Sequence, residues 1–217
     1  MKISDKLRNL ETETAFAVLA KAEKLRTEGR DIINLGIGQP DFPTPLNIVE
    51  AGIKALKDGH HGYTPSNGIL ELREAVSENI YNNYQIDISP DNILITPGGK
   101  PVIFFAVLIF GYTGSEIIYP DPGFPIYRSM IKYSGAKPVP LYLKEEDNFE
   151  INLDDLSKLI NSKTKLVIIN NPNNPTGSFM SEKKIKKIVE LLENYPNITI
   201  LSDEIYSKII FDGNAMP

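Results

Sequence analysis

The chain has 217 residues, of which 41% are hydrophobic and 24% are charged, and its formal net charge is −5. These values suit a globular protein with a sizeable core, and the mild acidity argues against nucleic-acid binding. Because the sequence contains no cysteine, disulfides, cysteine-ligated metals and a thiol nucleophile are excluded.

No segment of the sequence predicts a membrane anchor or a secretory signal. The longest apolar run, residues 102–110, is too short to span a bilayer and predicts a buried helix. Residues 1–5 lack the apolar core of a secretory signal, so a cytoplasmic location is expected. The adjacent His60 and His61 lack the acidic or cysteine partners of a metal site, and no metal is expected.

The first part of the chain predicts helices and one short strand, joined by loops. Apolar residues at helical spacing from Leu7 to Leu25 predict a first helix, and Gly29 ends it. A short strand is predicted at residues 31–35, followed by a turn-rich loop at 36–45. Two further helices are predicted at residues 48–57 and 69–84, on either side of a loop at 59–68.

From residue 93 onward, short apolar runs alternate with helical patterns. The predicted strands are residues 93–96, 116–119, 138–143, 166–170 and 198–201, with a last β signal at 209–211. The predicted helices are residues 98–110, 125–133, 153–160 and a helix from the N-cap Ser181 to Glu193. This alternation indicates an α/β fold whose mostly parallel sheet is covered on both faces, with its active site at the carboxyl ends of the strands.

A glycine-rich turn follows the strand predicted at residues 93–96. Gly98, Gly99 and Lys100 open the next helix, where backbone N–H groups at a helix N-terminus can bind a phosphate. A plain tight turn is the alternative interpretation. A P-loop is excluded, because Pro101 follows Lys100 and Leu94 stands where the first glycine is required.

Two more loops at predicted strand ends carry amides and an acid. Residues 170–177 contain four asparagines and two prolines, which suit hydrogen bonding to a ligand oxygen or an ordinary surface turn. Asp203 and Tyr206 follow the strand predicted at 198–201. A carboxylate there either meets a cationic or protonated partner or caps a short helical turn.

Taken in chain order, these loops resemble a known family. The motifs are residues 34–42, 63–68 leading to Leu72 and Arg73, 98–100, 172–177 and 202–206. Their order and spacing resemble the class I/II aminotransferases, pyridoxal-phosphate enzymes of the aspartate aminotransferase fold, over essentially the whole chain. The resemblance implies a three-layer αβα architecture with a mostly parallel sheet. It assigns residues 1–45 to a small domain and residues 46–217 to most of the large cofactor-binding domain, incomplete at its C-terminus.

The resemblance implies pyridoxal 5'-phosphate as the cofactor and gives roles to single residues. Gly98, Gly99 and Lys100 would hold the cofactor phosphate through backbone N–H groups. Phe124 would stack on the pyridine ring, where many relatives have tryptophan or tyrosine. These residues would therefore hold the phosphate and one face of the cofactor.

The resemblance assigns the remaining ring contacts to two of the later loops. Asp203 would pair with the pyridine nitrogen, keeping the ring an electron sink for the carbanion at the substrate α-carbon. Asn174 would bond the ring hydroxyl and help position the substrate carboxylate, and Tyr206 would donate to the same hydroxyl. Gly38 would contact the substrate through its backbone, and Tyr63 would reach the cofactor phosphate of a neighbouring subunit.

Enzymes of this family form a Schiff base between the cofactor and a lysine, which also moves protons. The resemblance puts this lysine, and the arginine that grips the substrate carboxylate, beyond Pro217. Lys208 is the only lysine after Tyr206, and it stands in a different place. The chain alone is therefore expected to contain no catalytic residue, to be inactive, and to be poorly stable because sheet edges and apolar helix faces stay open.

The complete protein is expected to transfer an amino group between an amino acid and a 2-oxo acid, as an aspartate aminotransferase-like or broad-range enzyme. The alternatives are a pyridoxal-phosphate-dependent β-lyase on the same scaffold and a non-catalytic half-domain or pseudoenzyme. The expected partners are the two substrates and a second copy in a homodimer, with neither nucleic acid nor membrane among them.

Overall fold

The computed structural model describes Leu7, Leu10 and residues 14–211, except for the side chain of Thr14. The rest of the helix predicted before residue 14, and the last residues up to Pro217, lie outside this described part. The described chain divides into two compact units, one made of residues 14–97 and one made of the remainder. The domain boundary expected between residues 45 and 46 stays a prediction.

The unit of residues 14–97 is helical. Its helices are α1 (Thr14–Thr27), α2 (Leu46–Lys57), α3 (Leu70–Tyr84) and a 3₁₀ turn at Pro90–Asn92. Their positions agree with the helices predicted from hydrophobic spacing. The strands predicted at residues 31–35 and 93–96 are wrong, since neither segment has regular structure. A strand needs a neighbour along its length, whereas Ile33 and Leu35 are 86% and 90% exposed.

A buried arginine holds the end of this unit together. Arg73 on α3 is 7% exposed and donates to the backbone oxygens of Gly68 (3.2 Å) and Pro90 (2.8 Å). Gly68 has φ of +99°, and a Cβ atom there would lie 2.5 Å from Ile95 Cγ1. The loop before α3 therefore requires glycine at this position, and Arg73 fixes it to the 3₁₀ turn.

The second unit contains a four-stranded parallel sheet. Its strands are β1 (Glu116–Asp121), β2 (Lys137–Tyr142), β3 (Thr164–Asn170) and β4 (Thr199–Asp203), in the order β2-β1-β3-β4. Its helices are α4 (Lys100–Phe110), α5 (Pro125–Ser134), α6 (Leu153–Leu159) and α7 (Glu182–Leu192), with a 3₁₀ turn at Glu145–Asp147. Residues 209–211 form no strand, so that β signal is wrong.

The sheet lies between two layers of helices. On one face its side chains pack with α4 and α5 in a buried cluster that includes Val107, Ile117, Tyr127, Ile131, Leu166 and Ile168. On the other face they pack with α6 and α7 in a cluster that includes Ile118, Leu141, Leu156, Val167 and Ile188. Neighbouring residues of β1 and β3 alternate between the two clusters, which explains the continuous apolar runs of these strands. The predicted three-layer α/β architecture is confirmed.

Side-chain caps fix where α6 and α7, the two helices on the same face of the sheet, begin. Asn152 precedes α6, and its side chain accepts from the backbone N–H groups of Asp154 and Asp155. Ser181 precedes α7, and its hydroxyl accepts from Lys184 N. The N-cap predicted at Ser181 is therefore confirmed, because its hydroxyl satisfies a backbone donor that the helix leaves unpaired.

Helix α4 buries only one of its sides. Ile103 and Val107 face the sheet at 5% and 0% exposure, whereas Phe105 and Ile109 are 49% and 71% exposed. The prediction of a buried helix at residues 102–110 is thus only half right, since an outer-layer helix meets the sheet along one stripe. No helix within the described residues combines the length and the apolar character needed to cross a membrane.

Candidate active site

A cavity of about 310 Å³ lies where β3 and β4 end. It is lined by Gly99, Lys100, Val102, Ile103, Phe124, Tyr127, Asn170, Asn174, Leu201, Ser202, Asp203, Glu204, Ile205 and Tyr206. Its walls combine apolar side chains with a few polar groups, as small-molecule sites commonly do. Because the carboxyl ends of parallel strands carry the sites of α/β sheets, this cavity is the candidate active site.

The N-terminus of α4 forms one wall of the cavity. Gly99 is the N-cap residue, and the helix begins at Lys100. Gly98 has φ of +87°, and Cβ atoms built on Gly98 or Gly99 would meet no atom within 4 Å. A helix N-terminus carries a partial positive charge, so this open turn suits an anionic group.

Asp203 ends β4, and its carboxylate bonds to a buried tyrosine. Tyr127 Oη donates to Asp203 Oδ2 at 2.5 Å. The Tyr127 side chain is fully buried on α5. Burial, followed by the hydrogen bond to Asp203, raises the pKa of the Tyr127 phenol well above its ordinary value. Tyr127 therefore stays protonated and remains the donor in this bond.

Asn174 and Tyr206 present an amide and a phenol side by side. Asn174 Nδ2 donates to Tyr206 Oη at 3.2 Å. Asn174 N donates to Asn170 Oδ1 at 2.9 Å, which ties the loop after β3 back to the last residue of that strand. The pair adds a polar edge, at the same cavity as the Asp203 carboxylate.

Phe124 provides an aromatic wall. It is the N-cap residue of α5, in extended backbone conformation. Its ring meets the Tyr127 ring edge-on, with centroids 5.9 Å apart and planes at 86°. The edge-on contact with a buried neighbour supports the Phe124 ring at the cavity.

Most of the residues named from the sequence lie around this cavity. Its lining includes Gly99, Lys100, Phe124, Asn174, Asp203 and Tyr206. Gly98 directly precedes Gly99 in the chain. Gly38 and Tyr63 belong to the unit of residues 14–97, where Tyr63 is fully exposed. Among the described residues, no group of three or more metal-ligating side chains is placed to hold a metal ion.

Sequence reasoning missed Tyr127 and Asn170 as single residues. Tyr127 follows Phe124 by three residues, a spacing that is equally typical of an amphipathic helix packing into a core. Asn170 is the first of the four asparagines in residues 170–177, and it differs from the other three only in being the last residue of β3. Neither residue carries a local sequence pattern that distinguishes a site residue from a core or turn residue.

Comparison with known proteins decides the family. The family model for class I and II aminotransferases matches residues 30–216. The chain belongs to this family. An aspartate aminotransferase of Bacillus sp. (strain YM-2) is 36% identical over 212 residues, covering 97% of the chain and 54% of the relative. A (5-formylfuran-3-yl)methyl phosphate transaminase of Methanocaldococcus jannaschii is 41% identical, covering 98% of the chain and 54% of the relative.

The three-dimensional comparison agrees with this family. The structure of Thermus thermophilus aspartate aminotransferase with maleate superposes with a TM-score of 0.95 at 30% identity. The match covers 100% of this chain and 56% of that one. This chain thus spans about half the length of the aminotransferases that it matches.

Proposed function

We propose that the whole protein is a pyridoxal 5'-phosphate-dependent aminotransferase that moves an amino group from an amino acid to a 2-oxo acid. The observation that carries this proposal is the meeting of Asp203, Asn174, Tyr206 and Phe124 with the N-terminus of α4 around one cavity. Its substrate range is proposed to be aspartate aminotransferase-like or broad. Family members matched by the chain are named for different substrates, which supports leaving that range open.

The residues at the cavity fit the chemical groups of this cofactor. The α4 N-terminus, at Gly99 and Lys100, suits the phosphate. Asp203 suits a protonated ring nitrogen, because its carboxylate accepts hydrogen bonds and already has a neutral donor in Tyr127. The amide of Asn174 and the phenol of Tyr206 suit the ring hydroxyl. The phosphate, the ring nitrogen and the ring hydroxyl of the cofactor would thereby each have a complementary group at the cavity.

When bound, the cofactor supplies an electron sink for negative charge at the α-carbon of the amino acid. In this proposal Asp203 would accept a hydrogen bond from the ring nitrogen and would so favour its protonated state. Tyr127 donates to the Asp203 carboxylate and holds it in place, and burial followed by this hydrogen bond raises the pKa of the Tyr127 phenol, which favours its protonated, donating form. Phe124 would cover one face of the ring and exclude water from it.

Residues outside the cavity complete the proposal. We propose that Gly38 contacts the substrate through its backbone, since a Cβ atom built on it meets no atom within 4 Å. We also propose a homodimer in which Tyr63, with its fully exposed ring, reaches the cofactor phosphate of the second copy.

Lys100 is the only lysine among the described cavity residues, and its proposed role is at the phosphate. The lysine that attaches the cofactor is accordingly proposed to lie outside these 217 residues.

Binding of pyridoxamine 5'-phosphate tests the proposed site. This amine form of the cofactor makes no covalent bond to lysine, so it measures the cavity contacts alone. We expect saturable binding of one molecule per chain by calorimetry, weakened about tenfold or more in Asp203→Asn, because the negative charge that strengthens the hydrogen bond to a protonated ring nitrogen is lost. The matched control is Asp154→Asn on the exposed surface of α6, which should bind as the original chain does.

Absence of saturable binding, or equal affinity in Asp203→Asn, would contradict the proposed site. A second arm treats the chain with pyridoxal 5'-phosphate and borohydride and maps the labelled peptides. Labelling concentrated at one lysine would contradict the proposal that the attaching lysine lies outside the chain. In the whole protein, transfer of the amino group of aspartate to a 2-oxo acid tests the activity itself, and Asp203→Asn should lower its rate.

A further inference from the structure

Asn170 bonds to two separate parts of the site with one side chain. It is the last residue of β3 and is 5% exposed. Its Nδ2 donates to the backbone oxygen of Asp203 at 3.1 Å. Its Oδ1 accepts from the backbone N–H of Asn174 at 2.9 Å. The donor and the acceptor of this one buried amide therefore serve two different loops.

The bonds of Asn170 add to those of the sheet. Asn170 and Asp203 are register partners in the β3–β4 pair. The backbone N–H of Asn171 also donates to Asp203 O, at 3.1 Å. The end of β4 is thus held by both backbone and side chain. In contrast, Asn174 lies four residues beyond the strand, and the bond to Asn170 Oδ1 ties its backbone to the sheet.

We infer that Asn170 is a positioning residue, which fixes the spacing between Asp203 and Asn174. This inference rests on the proposed function, in which Asp203 serves the ring nitrogen and Asn174 the ring hydroxyl of one rigid ring. The asparagine side chain has few rotatable bonds and is buried, so it transmits the position of one group to the other. Both of its bonds are to backbone atoms of other residues, so in this inference Asn170 acts through Asp203 and Asn174.

Two substitutions separate the two bonds. Asn170→Asp keeps an oxygen for the Asn174 N–H but places a carboxylate against the Asp203 carbonyl oxygen, to which, among the described residues, only the backbone N–H of Asn171 then still donates. Asn170→Ala removes both bonds. Asn194 offers the matched control, because it is exposed after α7 and bonds only to carbonyl oxygens of Glu190 and Leu191 in the described chain.

Hydrogen exchange in the ligand-free chain tests the Asn174 bond without any cofactor. We expect the Asn174 amide to exchange about tenfold faster in Asn170→Ala, which corresponds to the loss of one net hydrogen bond. In Asn170→Asp its rate should stay near that of the original chain, as it should in Asn194→Ala. An unchanged rate in Asn170→Ala would overturn the positioning of Asn174.

Affinity for pyridoxamine 5'-phosphate tests the effect on the site. We expect Asn170→Asp and Asn170→Ala to weaken binding about tenfold or more, with Asn194→Asp unchanged. In an Asp203→Asn background, the loss caused by Asn170→Asp should shrink, because Asn170 acts through the position of Asp203. An equal loss in both backgrounds would indicate general destabilisation and would overturn the inference, as would no loss at all.

Failure of the proposed function and failure of the positioning role of Asn170 give different results. If the original chain does not bind pyridoxamine 5'-phosphate, the proposed function fails, and the Asn174 exchange rates still decide whether Asn170 orders the loop. If the original chain binds but all Asn170 variants bind equally well, the proposed function stands and the positioning role is wrong. Urea unfolding of each variant verifies that it is folded. If Asn170→Ala does not fold, Asn170→Asp still tests the inference through its affinity, because it keeps the volume of the original side chain.

Discussion

The bond between Tyr127 and Asp203 joins residues 76 positions apart in the chain. Asp203 is visible in the sequence because it ends an apolar strand, and strand ends of α/β sheets carry functional groups. Tyr127 has no comparable signal, since an aromatic residue in an amphipathic helix usually belongs to the core. The sequence therefore predicted the acid, whereas its hydrogen-bond donor is known only from the tertiary structure, in which Tyr127 on α5 reaches the end of β4.

Tyr127→Phe tests the state of this phenol through the pH dependence of stability. The folded-state pKa of Tyr127 is raised above its ordinary value of 10.0, so its contribution is present below that pH and is lost as pH rises. We expect the difference in unfolding free energy between the original chain and Tyr127→Phe to shrink above about pH 10, by at most ~1.4 kcal/mol per pH unit. Urea unfolding at stepped pH measures it.

The exposed Tyr142 at the end of β2 supplies the control substitution for this measurement. A pH-independent difference for Tyr127→Phe would contradict the raised pKa. A decline of the same size in Tyr142→Phe would show that the effect does not belong to the bond with Asp203.

At the scale of elements, Glu116 connects β1, β2 and the end of α6 at the end of the sheet opposite the cavity. It begins β1, and its carboxylate accepts from Asn161 Nδ2 after α6 (2.8 Å) and from Lys137 Nζ at the start of β2 (3.0 Å). Its side chain is 10% exposed, whereas that of Lys137 is 70% exposed. The bond from Asn161, followed by that from Lys137, lowers the pKa of Glu116 against the opposing effect of burial.

Glu116→Gln tests this connection under acid conditions. A carboxyl group with a lowered folded-state pKa stabilises the fold above its ordinary value of 4.5, and this contribution is lost as pH falls through the lowered pKa. We expect Glu116→Gln to cost about 1–2 kcal/mol at pH 7, and the cost to shrink below about pH 4.5. The measurement is urea unfolding between pH 3 and pH 7. Glu190→Gln, on the exposed side of α7, should show no such convergence, and a constant cost for Glu116→Gln would contradict the assignment.

Elements were predicted well where local signals and tertiary pairing agree. β1 and β3 contain apolar runs with β-branched residues, and every strand of the second unit pairs with a parallel neighbour. The runs at residues 31–35 and 93–96 carry the same signal without becoming strands. Their described segments make no ladder, and the backbone bond from Ile95 N to Asn67 O joins a loop instead. Whether a segment forms a strand depends on pairing with a segment that is distant in sequence, and the local residue pattern carries no information about that pairing.

At the scale of the whole molecule, burial is distributed unevenly between the two units. The second unit contains both buried clusters, whereas α2 in the unit of residues 14–97 has no buried residue. Leu46, Ile48 and Leu56 on that helix are 69%, 56% and 64% exposed. The expectation of exposed apolar helix faces is met there, and the low stability expected from it stays a prediction.

The same substitution at two leucines tests this distribution. Leu156 on α6 is fully buried, and Leu156→Ala should lower the unfolding free energy by about 2–5 kcal/mol, because it removes apolar contacts and leaves a cavity. Leu56→Ala, at an exposed position on α2, should change it by less than about 0.5 kcal/mol. Urea unfolding followed by circular dichroism measures both, and losses of similar size would contradict the uneven distribution of the core.

The sequence by itself determined the α/β class, the N-cap of α7 and the order of the motifs that mark the aminotransferase family. These features depend on local periodicity and on residue types at short spacing, which a single chain displays directly. Only the tertiary structure decided which apolar faces stay open, that Tyr127 donates to Asp203, and that Asn170 holds Asp203 and Asn174 together. Each of these depends on elements that are distant in sequence and become neighbours when the parallel strands assemble.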